Sequence, residues 1–497
     1  MRSDQSPGSA STVHRILPVE PYSSLEAYIQ AGGGDGLIAA RKVSPDIVID
    51  ELAASGLRGR GGAGFPTGEK WKTVRANASE ILRTSVVVNA AEGEPGTYKD
   101  RAILLANPYA VLEGALIAAH AMEAATVVIA IKARFMDQIA RMHAAIDEIA
   151  KAGWSDGIDL RIVEGPAEYL FGEETALLEV IDGRPPFPRI APPYRRGVTE
   201  VVRSEDDVDS GSGLAANIQM ATEDNTSGSP PVLVNNVETM ANIPAIIALG
   251  SAWFRTVGTR ESPGTIVCTV TGAVTTPGVG EVAMGTSLRT IIDQIGGGVT
   301  AGRSIKAVLI GVSNAVLTGD QLDVAVAYET MAAIGSGVGS AGFIVIGDDI
   351  NAVGVASGVA RFLSIESCGQ CTPCKSDGLA IASVLSAAAQ GGADADGFEA
   401  LTDLLGSVAD EARCSLARQH QTVVGSLLAS FESEFRAAFE VGADATETPL
   451  IAEVLHISDA GTELDESFAA KQPDWSYEQT DSGKTPVERL TDHRQVE

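Results

Sequence analysis

The stretch Ser-Val-Val-Val-Asn at residues 85–89 decides the fold prediction. Its three consecutive valines are β-branched and apolar, and polar residues and glycine follow them. This pattern is typical of a strand that is buried on both faces of a parallel sheet. A helix is predicted next, over residues 102–125, and a second strand over residues 126–131. Strands and helices in alternation predict an α/β layer fold.

The same alternation continues on both sides of this unit. Upstream, apolar residues at helical spacing predict a helix over residues 43–55, and the six glycines and one proline of residues 56–68 predict a loop. Downstream, a helix is predicted over residues 135–152 and a third strand over residues 159–163. The first half of the chain is therefore expected to form one α/β domain.

Composition and periodicity divide the chain into five segments. A polar, proline-containing start is expected to be a flexible leader, and a stretch rich in Ser, Gly, Asp and Glu is expected to be an exposed insertion. Beyond the α/β domain, strands are predicted at residues 265–272 and 307–311, with a helix at residues 287–295 between them. The expected segments are residues 1–24 (leader), 25–260 (α/β domain, with the insertion at 197–230), 261–345 (small mixed α/β module), 346–440 (helical region) and 441–497 (acidic tail).

Charge and hydropathy exclude several classes of function. The net charge is −29, whereas binding to nucleic acid or to an anionic membrane surface needs clustered Lys and Arg. No stretch reaches the roughly 18–20 apolar residues of a membrane span, so direct membrane insertion is not expected. The start of the chain also lacks the basic and apolar segments of a secretory signal. Three of the five cysteines lie within seven residues, which indicates a metal or cluster site in a reducing cytoplasm rather than a disulfide framework.

The strongest local motif is Glu-Ser-Cys-Gly-Gln-Cys-Thr-Pro-Cys-Lys at residues 366–375. Its C-x₂-C-x₂-C spacing lets three thiolates face one cubane iron–sulfur cluster. The three cysteines are Cys368, Cys371 and Cys374. A structural zinc site is the alternative, although zinc ligands usually come as paired C-x₂-C or Cys/His knuckles. The candidates for a fourth ligand are Cys414, in helical sequence, and Cys268, whose strand pattern favours a small core residue instead.

A glycine-rich loop follows the first predicted helix, with the sequence Gly-Arg-Gly-Gly-Ala-Gly at residues 59–64. It matches G-x-G-x-x-G, but a Rossmann loop follows a strand and opens a helix, whereas this loop follows a helix. Such a loop still allows backbone N–H groups to approach a phosphate closely, and Lys70 follows it as a point charge. A purely structural loop is the alternative interpretation.

Three further motifs place polar residues at the ends of predicted elements. Asn-Ala-Ala-Glu-Gly-Glu-Pro-Gly at residues 89–96 directly follows a strand, where ligands bind in open α/β sheets. Tyr-Leu-Phe-Gly-Glu-Glu-Thr at residues 169–175 carries two acids that also suit a helix N-terminus. Val-Asn-Asn-Val-Glu-Thr at residues 234–239 has two asparagines that could cap a helix or hydrogen-bond a planar ligand. None of the three identifies a reaction by itself.

In this order and combination, the motifs resemble the flavoprotein subunit of respiratory complex I, the NADH-binding subunit of bacterial NADH:quinone oxidoreductases. The same architecture recurs in NAD-linked formate dehydrogenases and hydrogenases. The resemblance extends over about residues 24–421 and implies an NADH dehydrogenase that uses FMN, a [4Fe–4S] cluster and NAD(H). It is carried by residues 55–68, 89–101, 172–178, 234–239 and 366–375.

The resemblance implies a fold and a set of cluster ligands. The α/β domain would bind FMN and NADH, residues 261–345 would form a ubiquitin-like β-grasp module, and residues 346–440 would form a four-helix bundle that holds the cluster. No side chain is implied as a catalytic acid or base, and Glu94 and Glu174 would position the hydride transfer. The implied cluster ligands are Cys368, Cys371, Cys374 and Cys414.

Two groups of binding residues also follow from the resemblance. Those that would line FMN are Gly59, Gly61, Gly64, Lys70, Asn89, Glu92, Tyr169, Gly172, Glu173, Val234, Asn235, Asn236 and Thr239. Those that would contact NADH are Phe65, Glu94, Glu174 and Tyr194. Phe65 and Tyr194 would stack on adenine, and Glu174, near the adenosine ribose, would repel the 2′-phosphate of NADPH. Because NADH gives two electrons and a cluster accepts one at a time, the flavin is expected between them.

The resemblance further implies partners and a location. Five cysteines are too few for an additional ferredoxin domain in this chain. Electrons are therefore expected to leave to a partner with a thioredoxin-like [2Fe–2S] domain and on to further subunits of a larger complex. The expected location is the cytoplasm or the cytoplasmic face of a membrane complex.

The chain departs from the family pattern at several positions. Ala91 stands where the family usually has Asp, Gly93 where it has Ser, and Thr73 where an aromatic residue near Lys70 helps to hold adenine. Residues 415–418 replace the usual Ala-Leu-Gly-like run, and together these differences indicate a divergent paralogue. Two alternatives stay open: the NAD-linked electron module of a formate dehydrogenase, hydrogenase or ferredoxin-linked complex, and a structural subunit that has lost FMN.

Overall fold

The first domain is built on a parallel sheet of four strands, in the order β3-β2-β1-β4. A computed structural model describes residues 13–78, 83–190, 193, 230–458 and 460–473. The strand predicted at residues 85–89 is confirmed as β1, which pairs with β2 on one side and β4 on the other. The strands are β1 (Ser85–Ala90), β2 (Thr126–Lys132), β3 (Asp159–Gly165) and β4 (Val232–Asn236). Because β1 lies in the middle, its valines are buried on both faces, as the apolar run predicts.

Helices cover this sheet and complete the α/β layers predicted from the sequence. Most of their apolar residues join one core with the strands, and α6 contributes to it along nearly its whole length. The helices are α1 (Leu25–Gln30), α2 (Asp35–Ala40), α3 (Pro45–Ser55), α4 (Thr67–Ala76), α5 (Lys99–Ala106), α6 (Pro108–Met122), α7 (Met136–Lys151), α8 (Glu174–Ile181), α9 (Val237–Leu249) and α10 (Ser251–Phe254).

The single helix predicted over residues 102–125 is wrong, because α5 and α6 meet there at an angle of 96°. Pro108 has no N–H to donate to the preceding turn and disfavours helical geometry at Asn107. Asn107 instead accepts a hydrogen bond from the N–H of Ala110 at 3.2 Å and starts a new helix. In the described part of the chain no single helix is long and apolar enough to cross a membrane, and only this bent pair passes that test by its combined length and composition.

A second, mixed sheet of five strands follows, in the order β6-β5-β9-β7-β8. Only the central pair β5 and β9 is parallel, and the apolar face of α11 packs against the sheet. The strands predicted at residues 265–272 and 307–311 and the helix at residues 287–295 are confirmed as β5, β7 and α11. The elements are β5 (Thr265–Gly272), β6 (Gly278–Ala283), α11 (Leu288–Gly296), β7 (Ile305–Ile310), β8 (Leu317–Thr318), α12 (Tyr328–Ala333) and β9 (Gly342–Gly347).

The next region is helical, as predicted from Asp349 onward. Its central helix, α13, is buried on almost every side, and the other helices pack around it in one apolar core. The helices are α13 (Ala352–Ile365), α14 (Thr372–Ala389), α15 (Ala395–Ser407), α16 (Leu416–Ser430) and α17 (Glu432–Ala438).

The segment after α17, expected to be part of an acidic tail, is folded against the chain as far as residue 473. It forms a hairpin of β10 (Val454–Ser458) and β11 (Gly461–Leu464) and a 3₁₀ turn at Glu466–Ala469. Glycines in α13 allow this segment to approach the helix closely, since a Cβ at Gly354 would lie 1.9 Å from the carbonyl oxygen of Glu447. The end of the predicted tail, residues 474–497, and all but Pro230 of the predicted insertion lie outside the described residues.

The segment expected to be a flexible leader is held in place from residue 13 onward. The Glu281 carboxylate on β6 accepts hydrogen bonds from the N–H groups of Arg15, Ile16 and Leu17 at 2.9, 2.8 and 3.0 Å. The Ile16 side chain is 1% exposed and belongs to the core of the first domain. One buried carboxylate that satisfies three backbone donors therefore ties the start of the described chain to the second sheet.

We predict that Glu281→Ala lowers the free energy of unfolding by about 2–3 kcal/mol, because three backbone N–H groups lose a buried charged acceptor. Hydrogen–deuterium exchange should also become faster at residues 15–17. Glu463→Ala, which removes an exposed carboxylate on β11, is the control. Unchanged exchange at residues 15–17 in the Glu281 variant would contradict this account of the anchor.

Candidate functional site

Four of the five cysteines line one cavity in the helical region. Cys371 is the N-cap of α14 and Cys374 lies in its first turn, while Cys368 and Cys414 come from the loops before α14 and α16. Cys268 lies elsewhere, fully buried on β5 in the core of the second sheet. The tertiary structure therefore brings together the four cysteines named as cluster ligands and separates the fifth from them.

The arrangement of the four thiols suits a cluster better than a single ion. The cavity that they line is partly open to solvent. Within the described residues, no group of three or more His, Cys, Asp or Glu side chains is arranged to hold one metal ion. The four thiols thus surround a space instead of converging on one point. Ligands to the separate iron atoms of a cluster must be arranged in this way, whereas the ligands of one zinc ion converge on it.

The surroundings of the thiols are apolar, with a few donors directed at sulfur. Burial raises the pKa of Cys414 to about 12 and also raises the pKa values of Cys368 and Cys374. Thiolates in such a site need a bound cationic group to offset their desolvation. Gln370 Nε2 lies 3.4 Å from Cys368 Sγ, and the Ser367 hydroxyl lies 3.3 Å from Cys374 Sγ. Donors of this kind tune the potential of a cluster.

The glycine-rich loop lies beside the carboxyl end of β4. A Cβ at Gly61 would lie 3.2 Å from the Cβ of Asn236, and a side chain at Gly64, where φ is +62°, would run into the ring of Tyr328. The Arg60 N–H donates to Thr239 Oγ1 at 2.9 Å, while the buried Arg60 guanidinium donates to the carbonyl oxygen of Thr265 in the second sheet at 2.9 Å. The loop is therefore fixed against both sheets, and two of its glycines, Gly61 and Gly64, lie close to neighbouring side chains.

Three asparagines meet at the carboxyl edge of the first sheet, because Asn89 on β1 is in register with Asn236 on β4. Asn89 Nδ2 donates to the carbonyl oxygen of Gly172 at 2.8 Å. Asn235 Oδ1 accepts from the indole N–H of Trp71 at 2.9 Å. Asn236 Oδ1 accepts from the N–H of Glu238 at 3.0 Å and caps α9. The predicted residues Asn89, Gly172, Val234, Asn235, Asn236 and Thr239 thus lie along one edge, where open α/β sheets bind ligands.

Two of the predicted carboxylates are occupied by helix capping. Glu92 accepts from the Asp100 and Arg101 N–H groups at the start of α5, and it forms a buried ion pair with Arg101 at 2.9 Å. Glu173 accepts from the N–H groups of Thr175 and Ala176 and caps α8. Both side chains therefore shape the loops around the sheet edge through the backbone.

The carboxylate of Glu94 is held between two other elements. It accepts from the Val312 N–H at 2.8 Å and from the Tyr169 hydroxyl at 2.5 Å. Burial raises the pKa of Glu94. The Tyr169 hydroxyl in turn accepts from Gln419 Nε2 on α16 at 3.1 Å. This chain of hydrogen bonds crosses from the sheet edge to the helical region.

The open side of the sheet edge carries the remaining predicted residues. Phe65 is 55% exposed, which is unusual for a large aromatic residue and leaves a ring face free for stacking. Lys70 on α4 forms an ion pair with Glu174 on α8, with side chains 26% and 34% exposed. Tyr194, the other predicted adenine contact, lies outside the described residues.

Several polar residues at this edge were not among the predicted site residues. Trp71 fixes Asn235, and Lys99 donates to Asn236 Oδ1 at 3.3 Å. Lys99 also forms ion pairs with Asp100 at 2.7 Å and Glu238 at 2.9 Å, all of them buried. A run of charged residues directly after a strand-end loop, Lys-Asp-Arg at residues 99–101, is the sequence signal that could have drawn attention to them.

Known proteins resemble the chain over both regions. Two family models match, the Nuo51 FMN-binding domain at residues 52–245 and the NADH-ubiquinone oxidoreductase-F iron-sulfur binding region at residues 354–438. The NADH-quinone oxidoreductase F 2 subunit of Rhizobium meliloti (strain 1021) is 35% identical over 431 residues, which are 84% of this chain and 96% of the relative. The HndC subunit of the NADP-reducing hydrogenase of Solidesulfovibrio fructosivorans is 35% identical over 428 residues, which are 83% of this chain and 80% of the relative.

A solved structure is similar as well. An NAD⁺-reducing [NiFe]-hydrogenase in the H₂-reduced state superposes with a TM-score of 0.70 at 29% sequence identity, over 84% of this chain and 67% of that chain. The sheet edge and the cysteine cavity both fall inside the segments matched by the family models, whose descriptions name FMN and iron–sulfur binding. The protein is accordingly an oxidoreductase of the class that combines a flavin with an iron–sulfur cluster. It belongs to the family of the NADH-quinone oxidoreductase F subunits, and it is an NADH dehydrogenase module with FMN and a [4Fe–4S] cluster as cofactors.

We predict that replacing any one of the four cavity cysteines by Ser strongly lowers the iron content of the purified protein, because each thiolate would bind a different iron atom of the cluster. Cys268→Ser is the matched control and should retain full iron, since it lies in a separate core. Colorimetric iron and acid-labile sulfide assays measure both. Full iron in Cys414→Ser, or iron loss in Cys268→Ser, would refute the assignment. The four cysteines are Cys368, Cys371, Cys374 and Cys414.

Proposed function

We propose that the carboxyl edge of β1 and β4 holds FMN and NADH and that the four-cysteine cavity holds the [4Fe–4S] cluster, so that electrons enter at the sheet and leave through the helical region. The observation that carries this proposal is the position of two adjacent residues between the sites. The Tyr169 hydroxyl donates to Glu94 at the sheet edge, and its neighbour Leu170 lines the cysteine cavity. The Tyr169 N–H also donates at 2.9 Å to Glu366, at the start of the cysteine motif. A ligand beside Glu94 would thus be one short segment away from the cluster.

FMN, when bound, accepts two electrons from NADH and releases them one at a time. Residues of this chain then have positioning roles. The backbone of Gly59, Gly61 and Gly64 would approach the phosphate of FMN, because bare glycines leave N–H groups accessible. Asn235 and Asn236 would present amide groups to the planar ring from positions fixed by Trp71, Lys99 and helix capping.

NADH would lie on the exposed side of the same edge. Phe65 offers a free ring face for adenine, and Tyr194 is proposed as its second contact. Glu94 is held in place by Val312 and Tyr169, and it would orient the nicotinamide end through hydrogen bonds. Glu92 and Glu173 would act indirectly, because both carboxylates cap helices that border the site.

The finer architecture implied by the resemblance belongs to the same proposal. The five-stranded sheet with α11 on one face has the layers expected of a β-grasp module at residues 261–345. The helices α13, α14, α15 and α16 share one core, as a four-helix bundle at residues 346–440 would. In this arrangement the bundle carries the cluster while the module braces the glycine-rich loop through Arg60.

The chain is proposed to work in a larger complex, because the relatives are named as subunits of NADH-quinone oxidoreductases and of a hydrogenase. A partner with a thioredoxin-like [2Fe–2S] domain would take the electrons. A reducing compartment suits the free cysteines, so we place the protein in the cytoplasm or at the cytoplasmic face of a membrane complex. A hydrogenase-linked complex is the second candidate, favoured by the equal identity to HndC. Capture of the native complex from the host distinguishes the two.

We predict that purified protein contains FMN and that NADH bleaches the flavin in a stopped-flow experiment, with reduction of ferricyanide at steady state. The control is Gly61→Val, which should lack FMN because the new side chain fills space next to Asn236. Protein that contains FMN but is not bleached by NADH would contradict the dehydrogenase function, and purified protein without FMN would leave the structural-subunit alternative instead.

We predict that Glu174→Gln raises the ratio of kcat/KM for NADPH to that for NADH by at least about fivefold. The substitution removes a negative charge and leaves Lys70 unpaired, and both changes favour a dianionic 2′-phosphate. Glu123→Gln, which removes the same charge from another ion pair with a partly exposed partner, is the control. An unchanged ratio together with a lower melting temperature would assign Glu174 to stability of the α8 N-terminus instead.

A further inference from the structure

A buried ion pair lies directly beneath the strand-end loop that follows β1. The Lys132 ammonium, at the end of β2, is 1% exposed and donates to the carbonyl oxygen of Ala167 at 2.9 Å and to Glu453 Oε2 at 2.5 Å. A Cβ at Gly93 would lie 2.5 Å from the Lys132 nitrogen and 3.7 Å from Glu453 Oε2. The absence of a side chain at Gly93 therefore leaves room for the ammonium group.

Glu453 reaches this place from the segment that follows the iron–sulfur region, here called the strap and defined as residues 447–471. The strap begins against α13, where Gly354 and Gly358 allow its backbone to approach. Its far end returns to the cysteine motif, since Lys471 pairs with Glu366 at 2.7 Å. One segment therefore contacts both the loop at the sheet edge and the residue that opens the cysteine motif.

The charges around Glu453 balance one another. Three cations, Arg101, Lys132 and Arg134, face three carboxylates, Glu92, Glu453 and Asp465. Loss of the Glu453 charge would leave one uncompensated positive charge in a site with little access to water. Burial lowers the pKa of Lys132, and the nearby carboxylate of Glu453 opposes that effect.

We propose that Glu453 is a positioning residue of the flavin site, which holds the Lys132 ammonium under the loop at residues 91–96 and balances its charge. This inference rests on the proposed placement of FMN at the edge of β1 and β4. Three independent contacts support it: the salt bridge of Lys132 with Glu453, the hydrogen bond of Lys132 to Ala167, and the close approach of both charged groups to Gly93. A segment outside the FMN-binding and iron–sulfur models, which end at residues 245 and 438, would thereby set the electrostatic potential at the flavin.

The test measures the midpoint potential of the bound flavin and the affinity of the apoprotein for FMN. Glu453→Gln removes one negative charge, and the remaining positive charge favours the more electron-rich, reduced flavin. The potential should therefore rise, with the ratio of dissociation constants for oxidised and reduced FMN increasing at least about fivefold. The double variant Lys132→Met, Glu453→Gln is neutral again and should return this ratio to within about twofold of the wild-type value.

Controls separate a positioning role from general damage. Glu463→Gln makes the same substitution at an exposed position of the strap and should leave the potential unchanged. If Glu453→Gln does not fold, Gly93→Ser replaces it, because its Cβ would press on the Lys132 ammonium and must also shift the potential. A wild-type potential in the folded variant, or a double variant that deviates more than the single one, overturns the inference.

The same experiment distinguishes failure of this inference from failure of the proposed flavin site. Gly61→Val should abolish FMN binding if the flavin lies at the sheet edge. Loss of FMN in Gly61→Val with an unchanged potential in Glu453→Gln would reject only the role of the strap. Full FMN binding in Gly61→Val would reject the placement of the flavin itself and the inference with it.

Discussion

The buried carboxylate of Glu238 holds together the parts from which the proposed flavin site is assembled. It lies in the first turn of α9, pairs with Lys99 at 2.9 Å and approaches Arg60 at 3.8 Å. It also accepts from the N–H of Val267 in the second sheet at 2.9 Å. One side chain thus connects α5, the glycine-rich loop and the second sheet directly behind the asparagines of β4. Because a buried charge that loses its partner is strongly destabilising, these parts depend on one another.

A second set of contacts joins the sheet edge to the cysteine cavity. Tyr169 bonds with its hydroxyl to Glu94 and with its N–H to Glu366. Glu366 is in turn held by Lys471 from the strap. The two cofactor regions are therefore fixed by contacts that come from three separate parts of the chain. Such rigidity suits electron transfer, since short distances between centres must be maintained without rearrangement.

Departures from the family pattern have distinct structural settings. Ala91 is buried in a small apolar cluster that includes Phe171, so the space of a larger polar residue is taken up by packing. Thr73 is exposed on α4 and donates to the carbonyl oxygen of Glu69 at 2.9 Å, so it offers no ring to a ligand on that side. Gly93, by contrast, admits the ammonium of Lys132. Ala91 and Thr73 thus lack the polar or aromatic groups that could contact a ligand. At Gly93, the ammonium group of Lys132 occupies the space that a side chain would take.

The sequence by itself predicted the strands β1, β2, β3, β5 and β7, the helices α3, α7 and α11, and the three-cysteine motif of residues 366–375. These features follow from local rules, namely apolar periodicity and the spacing of three cysteines within seven residues. The break between α5 and α6 could also have been predicted from the sequence, because Pro108 cannot continue a helix. Family resemblance added the expected binding residues, and the structure gathered the described ones around the first sheet.

Only the tertiary structure decided which distant groups meet. Nothing local distinguishes Glu453 from the many other acids of a chain with 65 Asp and Glu residues, yet it pairs with a lysine 321 positions away. The Lys70–Glu174 ion pair and the anchoring of residues 15–17 by Glu281 also join groups that are far apart in the sequence. Each depends on long-range packing, and such pairings carry no period or spacing in the sequence.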